Sequence, residues 1–560
     1  MLEAVHSKVP EIFNYCLLSY GSSSRLRYGK YTVLSSEGVQ QGDPIGPLLF
    51  CLTIHPLLSQ LNSEFKIGYL DDVTIGGETA SVSDDVSFLL CASRDIGLEL
   101  NINKCELIGS GCVDLPVSLR SFLQVLPGDA NLLGAPLLTG SAMEKSLVKF
   151  RDGLEAGVKR LSLIPAHDAL IILRSSLGAP KLTYVLRASP CGAHASLKTY
   201  DDSLRKALCN LLNIDLSDEQ WLQASLPIRM GGLGVRSVAL LAPSAFLASA
   251  AGTRDLQDKI LPVAFPDQDE EYLRIQGVWS ETSGLSAPSE GASLKRQSSW
   301  DSAVCQRVRN SLMSNATDSH TRARLLAVSA EHSSDWLHAL PLSACGLRMD
   351  DNTIRISVGL RLGAKLCEPH SCVCGADVDI LGHHGLVCNK SAGRSSRHNY
   401  INDLIWRALG RAGVPSVKEP SGLTRDDGKR PDGLTQIPWE AGRCVTWDVT
   451  VTDTLAASNI SHSALAAGAA AEKAAERKLQ KYTELSACYT FVPVAFETLG
   501  PVNSLGAEFI RSIGIRARGS SGDVREGCFL WQRLSMAIQR FNAVCIQGTF
   551  ETLKDGSLDD

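Results

Sequence analysis

A short cluster of cysteine and histidine residues constrains the fold of this 560-residue chain more than any other feature. Between residues 367 and 388 the sequence CEPHSCVCGADVDILGHHGLVC supplies seven side chains that can bind a soft metal ion. Four thiolate or imidazole ligands, in two close pairs separated by a short loop, are typical of a structural zinc site. We predict a zinc site formed by Cys372, Cys374, His384 and Cys388, with His383 as the alternative histidine and Cys367 and His370 as spare candidates.

Length and composition indicate several folded domains. A chain of 560 residues is too long for one hydrophobic core and suggests roughly three or four domains. Its 44% hydrophobic and 21% charged residues are typical of a folded protein rather than a disordered one. We predict a multidomain protein of α/β and α segments. Its expected parts are an α/β segment at 1–110, a helical segment at 111–262, a linker at 263–300, a helical connector at 301–365, the zinc knuckle at 366–392, a second α/β domain at 393–545 and a tail at 546–560.

The distribution of charge and apolar residues indicates where the protein works. The net charge is −5, but residues 390–430 contain nine Lys or Arg against four Asp or Glu, a local patch that can meet phosphates. The N-terminus has no secretory signal pattern, and we expect no membrane-spanning segment. We therefore expect an intracellular protein, nuclear or cytoplasmic, whose cysteines are reduced.

Two adjacent aspartates stand between two strand-like runs in FKIGYLDDVTIGG. This pattern predicts a β-hairpin with Asp71 and Asp72 at its tip. Paired carboxylates can hold a divalent metal ion, and two-metal sites drive phosphoryl transfer. Taken alone, the pair is also compatible with an ordinary solvated turn, because Asp favours turns.

The sequences on either side of the hairpin favour a metal-binding pair over an ordinary solvated turn. Upstream is GVQQGDPIGPLLF, whose Gly and Pro residues shape a loop. Downstream is GLELNINKCEL, in which Lys104 can reach a phosphate. In this order the three strings resemble the palm of reverse transcriptases of non-LTR retrotransposons, over about residues 1–110, followed by a helical thumb at 111–262. The resemblance implies that Asp71 and Asp72 bind magnesium, that dNTPs and an element RNA template are partners, and that the loop contacting them consists of Gln41, Gly42, Asp43 and Pro44.

The resemblance is incomplete at its N-terminal side. In that family a third metal-binding aspartate and a fingers subdomain precede the QGDP loop. Only about forty residues precede the loop here. We therefore expect that the polymerase activity of this chain is lost.

The region after the Cys/His cluster contains the residues of a metal-dependent nuclease. Two acidic residues on neighbouring strands can hold one magnesium ion, and a nearby lysine can stabilise the charge that develops on a phosphate. The order of residues resembles the restriction-like, PD-(D/E)xK endonuclease domain of early-branching non-LTR retrotransposons, with target DNA as the partner. Thr450 stands where the general nuclease pattern has lysine, so the lysine is expected on the following helix. The expected catalytic residues are Glu419, Asp432, Asp448 and either Lys478 or Lys481, and the expected DNA contacts are Arg397, His398, Arg430 and Tyr482.

Three hypotheses about function follow. In the first, the C-terminal domain nicks target DNA, and an intact relative would begin reverse transcription from the nick. In the second, the chain is a remnant that binds nucleic acid without cleaving it. In the third, it is a domesticated structural protein. The presence of all the expected catalytic residues favours the first hypothesis.

Overall fold

The computed structural model describes residues 1–40, 42–109, 114–260, 269–288, 291–425 and 428–550. The chain divides into two compact units. The first consists of Met1–Ser146, Ala188–Pro190 and Ala250–Glu270, and the second consists of Leu147–Arg187, Cys191–Ser249 and Glu271–Asp560.

The first unit is a small α/β structure in which the described strands pair two by two. Val5, Cys16 and Leu49 form a buried apolar cluster in it. Its elements are α1 (Leu2–Lys8), α2 (Phe13–Tyr20), β1 (Ser24–Tyr28), β2 (Tyr31–Ser35), α3 (Gly46–Leu58), β3 (Phe65–Tyr69), β4 (Asp72–Gly76), α4 (Thr79–Asp95), β5 (Glu106–Ile108), β6 (Leu123–Val125), β7 (Asn131–Leu132) and β8 (Ala135–Pro136).

The two-aspartate segment forms the expected hairpin. β3 and β4 pair antiparallel, with Tyr69 opposite Asp72. Leu70 adopts a φ of +55°, a left-handed conformation that tightens the turn. Asp71 therefore lies at the tip and Asp72 begins β4.

A long helical stretch follows, but it begins at residue 141 and not at the predicted residue 111, because β6, β7 and β8 lie between residues 123 and 136. Helices are present in the rest of the predicted segment 111–262 and in 301–365. Its helices are α5 (Ser141–Leu161), α6 (Ala166–Ile172), α7 (Ala179–Ala188), α8 (Ala195–Leu212), α9 (Asp218–Ser225), α10 (Val238–Ile260), α11 (Glu270–Ser283), α12 (Gln297–Asn315), α13 (Ser319–Val328), α14 (Asp335–His338) and α15 (Asp351–Leu362).

The linker predicted at 263–300 is wrong in part. α11 lies within it, and Trp279 of this helix is buried against Trp300 at the start of α12, with ring centroids 4.9 Å apart. The many Ser, Gly and acidic residues of this stretch concealed the few large apolar residues that fix the helix, Ile275 and Trp279. Residues 261–268 and 289–290 lie outside the described part.

One stretch among the described residues, Ala166–Ala188, is long and apolar enough for a membrane span, with a mean hydropathy of 1.2 over 18 residues. In that window 44% of the residues are buried inside the protein, as in a core helix. The stretch is therefore only weak support for a membrane span.

The last part of the second unit is a four-stranded sheet with helices on both faces. The strand order is β11-β12-β13-β14, with antiparallel pairs from β11 to β13 and a parallel pair between β13 and β14. The elements are β9 (His370–Ser371), β10 (Asp377–Val378), α16 (His384–Val387), α17 (Ala392–Arg411), β11 (Ser416–Lys418), β12 (Gly433–Thr435), β13 (Val445–Thr452), α18 (Ile460–Ser463), α19 (Ala469–Lys481), β14 (Thr490–Glu497), α20 (Ser504–Ser521) and α21 (Glu526–Gln547).

The sheet forms where the sequence is apolar enough to be covered on both faces. The first five residues of β13, VTWDV, are all buried. On one side, Trp447 and Val449 pack in a cluster with side chains of α17, α20 and α21. On the other side, α19 presents Ala471 and Ala475 to Ala495 of β14. Since alanines are small, α19 can lie close to the sheet, which brings its longer side chains to the strands.

The Cys/His segment packs against the C-terminal helix. Leu386 shares an apolar cluster with Ala543 and Ile546 of α21. A Cβ atom on Gly385 would lie 2.8 Å from the Ile546 Cα, so only glycine allows this approach. The tail predicted from residue 546 is therefore wrong at its start, because α21 continues to Gln547 and the Cys/His segment contacts it. Residues 551–560 lie outside the described part.

Candidate metal centres and active site

The structure brings four of the predicted zinc ligands together. The ligand atoms of Cys372, Cys374, His384 and Cys388 all lie within 4.8 Å of one another. The Cys374 Sγ lies 3.2 Å from the His384 Nε2, and the Sγ atoms of Cys372 and Cys388 are 3.7 Å apart. Three cysteines and one histidine at this spacing suit a tetrahedral zinc ion with no open position.

Local structure explains why these four converge. β9 and β10 form a hairpin that carries Cys372 and Cys374 near its turn, where Gly375 adopts a φ of +90°. α16 begins at His384, so Cys388 follows one helical turn later. The Ala376 amide hydrogen-bonded to Cys374 lowers the pKa of that thiol to about 6, which favours the thiolate that binds metal.

The alternative and spare ligands have other partners. Burial lowers the pKa of His383, whose main favourable charge contact is Asp453. Cys367 donates through Sγ to the Asp379 carbonyl at 3.2 Å. The His370 ring stacks on Phe550 at 4.1 Å, and its Nε2 lies 2.8 Å from the Thr549 hydroxyl. Of the two histidines, His384 is the one that lies with the cysteines.

A second group of ligands lies at the sheet. His398 of α17, Asp432 just before β12 and Asp448 of β13 place one ligand atom each within 4.8 Å of the others. The His398 Nε2 lies 2.9 Å from the Asp432 Oδ2, and the same oxygen accepts the Val449 amide at 2.6 Å. Backbone pairing between the Asp432 amide and the Trp447 carbonyl, 2.9 Å, holds the two aspartates side by side.

The electrostatics of this group depend on two cations. Burial, followed by the charge of Asp432, raises the pKa of Asp448. Lys478 opposes that rise, because its Nζ donates to the Asp448 Oδ1 at 2.7 Å. The hydrogen bond to Asp432 raises the pKa of His398 to about 9. We refer to His398, Asp432, Asp448 and Lys478 together as the acidic centre.

The structure separates the two candidate lysines. Lys478 reaches the acidic centre, whereas the Lys481 Nζ lies over the Tyr482 ring, 4.7 Å from its centroid. The Lys481 Nζ also lies 3.2 Å from the Tyr482 hydroxyl oxygen. Lys478 is therefore the better candidate.

Tyr482 has a different place from the DNA contact that the sequence suggested. Its side chain is only 1% exposed, and its hydroxyl donates to the Arg430 carbonyl at 3.0 Å. Burial, followed by the nearby Asp448 charge, raises the pKa of the hydroxyl. Tyr482 thus fastens the segment before Asp432 to the end of α19.

Glu419 lies beside the acidic centre but outside the ligand group. It follows β11 with a φ of +48°, and its amide donates to the Asp432 carbonyl at 3.0 Å. Its carboxylate pairs with Arg430, and the side chains of the two residues are 58% and 40% exposed. Both side chains remain accessible to a nucleic acid.

The expected contact between Arg397 and DNA phosphates is contradicted by burial. Arg397 is 2% exposed, and its Nη1 donates to the Asn542 Oδ1 of α21 at 2.7 Å. It shares a helix face with Ile401 and Leu404, four and seven residues later, both of which are buried. This spacing from two apolar positions was the signal in the sequence that the Arg397 side chain points into the core. Conversely, His398 was expected only as a DNA contact and instead lies with the two aspartates.

The reverse-transcriptase-like residues lie in the first unit. Asp71 and Asp72 are exposed, and among the described residues no third acidic, histidine or cysteine side chain forms a ligand group with them. Gln41 lies outside the described residues.

The rest of the QGDP loop is held by Asp43. The Asp43 Oδ1 accepts the Ile45 amide at 3.0 Å, and its other oxygen accepts the Tyr20 hydroxyl. Gly42 adopts a φ of +90°, and Pro44 precedes α3. Lys104 is exposed in a short 3-10 turn.

Comparison with known protein families agrees with the presence of reverse-transcriptase-like residues in the first unit. Residues 4–119 match the family described as reverse transcriptase (RNA-dependent DNA polymerase). This confirms that the N-terminal part carries a reverse transcriptase domain.

Two curated relatives cover much more of the chain. The Retrotransposable element SLACS 132 kDa protein of Trypanosoma brucei gambiense is 23% identical over 72% of this chain. The Retrovirus-related Pol polyprotein from type-2 retrotransposable element R2DM of Drosophila melanogaster is 24% identical over 71%. The matches cover 30% and 39% of the relatives, so the chain spans about a third of their length. The chain is thus similar to reverse transcriptase-bearing proteins of non-LTR retrotransposons.

Proposed function

We propose that the acidic centre of this retrotransposon reverse transcriptase-like chain nicks target DNA with the help of magnesium. The observation that carries the proposal is the convergence of Asp432, Asp448 and Lys478, with the lysine 2.7 Å from the Asp448 carboxylate. These residues come from separate elements of one mixed sheet and its helix. The nick would supply the 3′ hydroxyl from which an RNA template is copied with dNTPs.

The donor set suits a hard divalent cation. Magnesium is bound in proteins through one or two carboxylates, with water and substrate phosphates as further ligands. Asp432 and Asp448 supply these two carboxylates. His398 donates to Asp432 and fixes its orientation, as outer hydrogen-bond partners do in metal sites. When bound, magnesium would polarise the scissile phosphate and lower the pKa of a coordinated water.

The protein's own residues account for the rest of the reaction. A water oxygen attacks phosphorus, and the bond from phosphorus to the 3′ oxygen breaks, leaving a 3′ hydroxyl and a 5′ phosphate. Lys478 is the cation that would stabilise the negative charge developing on the phosphate. Tyr482 keeps the segment that carries Arg430 and Asp432 in place, and Arg430 and Glu419 lie exposed next to it.

We also propose that Cys372, Cys374, His384 and Cys388 hold a structural zinc ion. α17, which carries His398, begins four residues after Cys388. The zinc knuckle would therefore set the start of the helix that reaches the acidic centre.

A plasmid-nicking assay with the full chain and magnesium tests the proposed nuclease. Asp432→Asn and Asp448→Asn should each lower the nicking rate by at least about a hundredfold, because a metal ligand is lost. DNA binding in the absence of magnesium should stay within about threefold. The matched control is Asp403→Asn on α17, whose carboxylate pairs with Arg407 and Lys418 outside the centre. If the full chain binds DNA but never nicks it with magnesium or manganese, the chain is a binding protein instead.

A further inference from the structure

The β1–β2 hairpin of the first unit has no buried residue. Leu26, Tyr28, Tyr31 and Val33 are 51%, 81%, 62% and 56% exposed. An isolated two-stranded hairpin is only marginally stable in water, and its aromatic residues gain nothing from exposure. Such a surface indicates a binding role.

The register places these residues on one face. Tyr28 lies directly opposite Tyr31, and Leu26 lies opposite Val33. Directly opposed residues of an antiparallel pair point to the same side of the sheet. The hairpin therefore presents two adjacent tyrosines at its tip, continued by two aliphatic side chains.

The charge of the hairpin has a single sign. Residues 21–36 contain Arg25, Arg27 and Lys30 and no acidic residue. The Lys30 Nζ lies 5.5 Å from the centre of the Tyr31 ring, so a cation stands beside the aromatic pair. Arg25 and Arg27 are exposed and alternate with Leu26 and Tyr28 along β1, so they point to the opposite face of the hairpin.

The hairpin is also tied to the QGDP loop. The Gln40 side chain donates through Nε2 to the Ser24 hydroxyl at the base of β1, 2.9 Å away. Gln40 immediately precedes the loop, and its amide donates to the Tyr20 hydroxyl, which in turn pairs with Asp43. The aromatic face therefore extends from a loop within the part matched to reverse transcriptases.

We infer that the β1–β2 hairpin binds single-stranded nucleic acid by stacking bases on Tyr28 and Tyr31. An aromatic face with a cation beside it, as Lys30 lies beside Tyr31, suits single strands, because every base offers a face for stacking and every link carries a phosphate. In a duplex the base faces are already stacked on one another. An apolar protein partner would leave the three cations unmatched.

Fluorescence anisotropy with the full chain tests this inference independently of DNA cleavage. The probes are a labelled 20-nucleotide oligo(dT), the matching oligo(rU) and a 20-base-pair duplex, all in EDTA. Replacing both residues, Tyr28→Ala with Tyr31→Ala, should weaken binding of either single strand by about tenfold or more. Duplex binding should change by less than about twofold. Since neither side chain packs in the core, the double variant should fold, which circular dichroism will verify.

Three further variants identify the cause of any loss. Tyr28→Phe with Tyr31→Phe should bind like the parent, because phenylalanine also stacks. Tyr15→Ala is the matched control, since this tyrosine is 58% exposed on α2 outside the hairpin. Lys30→Gln should reduce the salt dependence of single-strand binding by about 0.7 units of slope, the loss expected for one phosphate contact.

The inference is overturned if the double alanine variant binds single strands as tightly as the parent. It is equally overturned if the phenylalanine pair binds as weakly as the alanine pair, or if Tyr15→Ala causes the same loss. A loss for duplex as large as for single strands would also contradict it. Unequal affinities for oligo(rU) and oligo(dT), both lost in the alanine pair, would support it and show which strand is preferred.

Discussion

Lys478 and Lys481 lie on the same helix, yet only Lys478 donates to a carboxylate of the acidic centre. We expect Lys478→Ala to lower the nicking rate by about a hundredfold to a thousandfold, the usual cost of losing a group that stabilises transition-state charge. Lys481→Ala should cost less than about tenfold, because this side chain lies against Tyr482. Single-turnover nicking rates at saturating magnesium measure both. A larger loss for Lys481→Ala than for Lys478→Ala would contradict this prediction, because it would show that Lys481 has the role assigned here to Lys478.

His167 of α6 gives the protein a predictable sensitivity to acid. It is 2% exposed and accepts the Met349 amide through Nδ1, and burial lowers its pKa from 6.5 to about 4. Between these two pH values the unfolded chain binds a proton that the folded chain does not. Stability is therefore complete above pH 6.5 and falls as the pH drops toward 4.

The expected size of this effect follows from the pKa shift. From pH 7 to pH 5, His167 should remove about 2 kcal/mol from the free energy of unfolding. Urea unfolding at both pH values measures the loss, and His167→Gln should reduce it. An equal loss of stability in His167→Gln and in the parent would show that other groups cause the acid sensitivity.

At the scale of elements, the Cys/His segment, proposed to hold zinc, packs against α21. Metal analysis of the full chain should find one zinc, which Cys374→Ser should remove. Because zinc sites supply folding free energy, loss of zinc should lower the thermal midpoint and expose amides at the end of α21 to hydrogen exchange.

Cys367→Ser is the matched control for the zinc prediction. This cysteine lies in the same segment but donates to a backbone carbonyl, so the variant should keep its zinc. A parent protein without stoichiometric zinc would contradict the assignment, as would a Cys374→Ser variant that retains it.

Sequence reasoning placed residues together correctly where they are close along the chain. The four predicted zinc ligands span 17 residues, from Cys372 to Cys388, and the structure brings their ligand atoms together. The β3–β4 hairpin was predictable for the same reason, since a tight turn joins two short strands.

Sequence reasoning failed where a role depends on packing between distant elements. His398 stands 34 residues before Asp432, and only the docking of α17 on the sheet brings the two together. Arg397, one position earlier on the helix, points about 100° away from His398 and is buried. The sequence shows only two adjacent polar residues, and the fold buries Arg397 and places His398 at the acidic centre.

At the scale of the whole molecule, the two units offer different numbers of metal ligands. Asp71 and Asp72 have no third ligand among the described residues, whereas the acidic centre has three candidate ligands and a lysine. We therefore expect this chain, as given, not to extend a primer on an RNA template with magnesium and dNTPs. The measurement is a primer-extension assay. Extension that disappears in Asp71→Ala would contradict this expectation.

The most direct test of the account combines cleavage with analysis of the ends produced. Supercoiled plasmid is incubated with the full chain and magnesium, and the nicked product is then given to a separate DNA polymerase with labelled dNTPs. We predict magnesium-dependent nicks whose 3′ hydroxyl ends incorporate label, and at least about a hundredfold less product with Asp448→Asn. Nicking that is unchanged in Asp448→Asn, or nicks with ends that cannot be extended, would contradict the proposal that the acidic centre makes the primer.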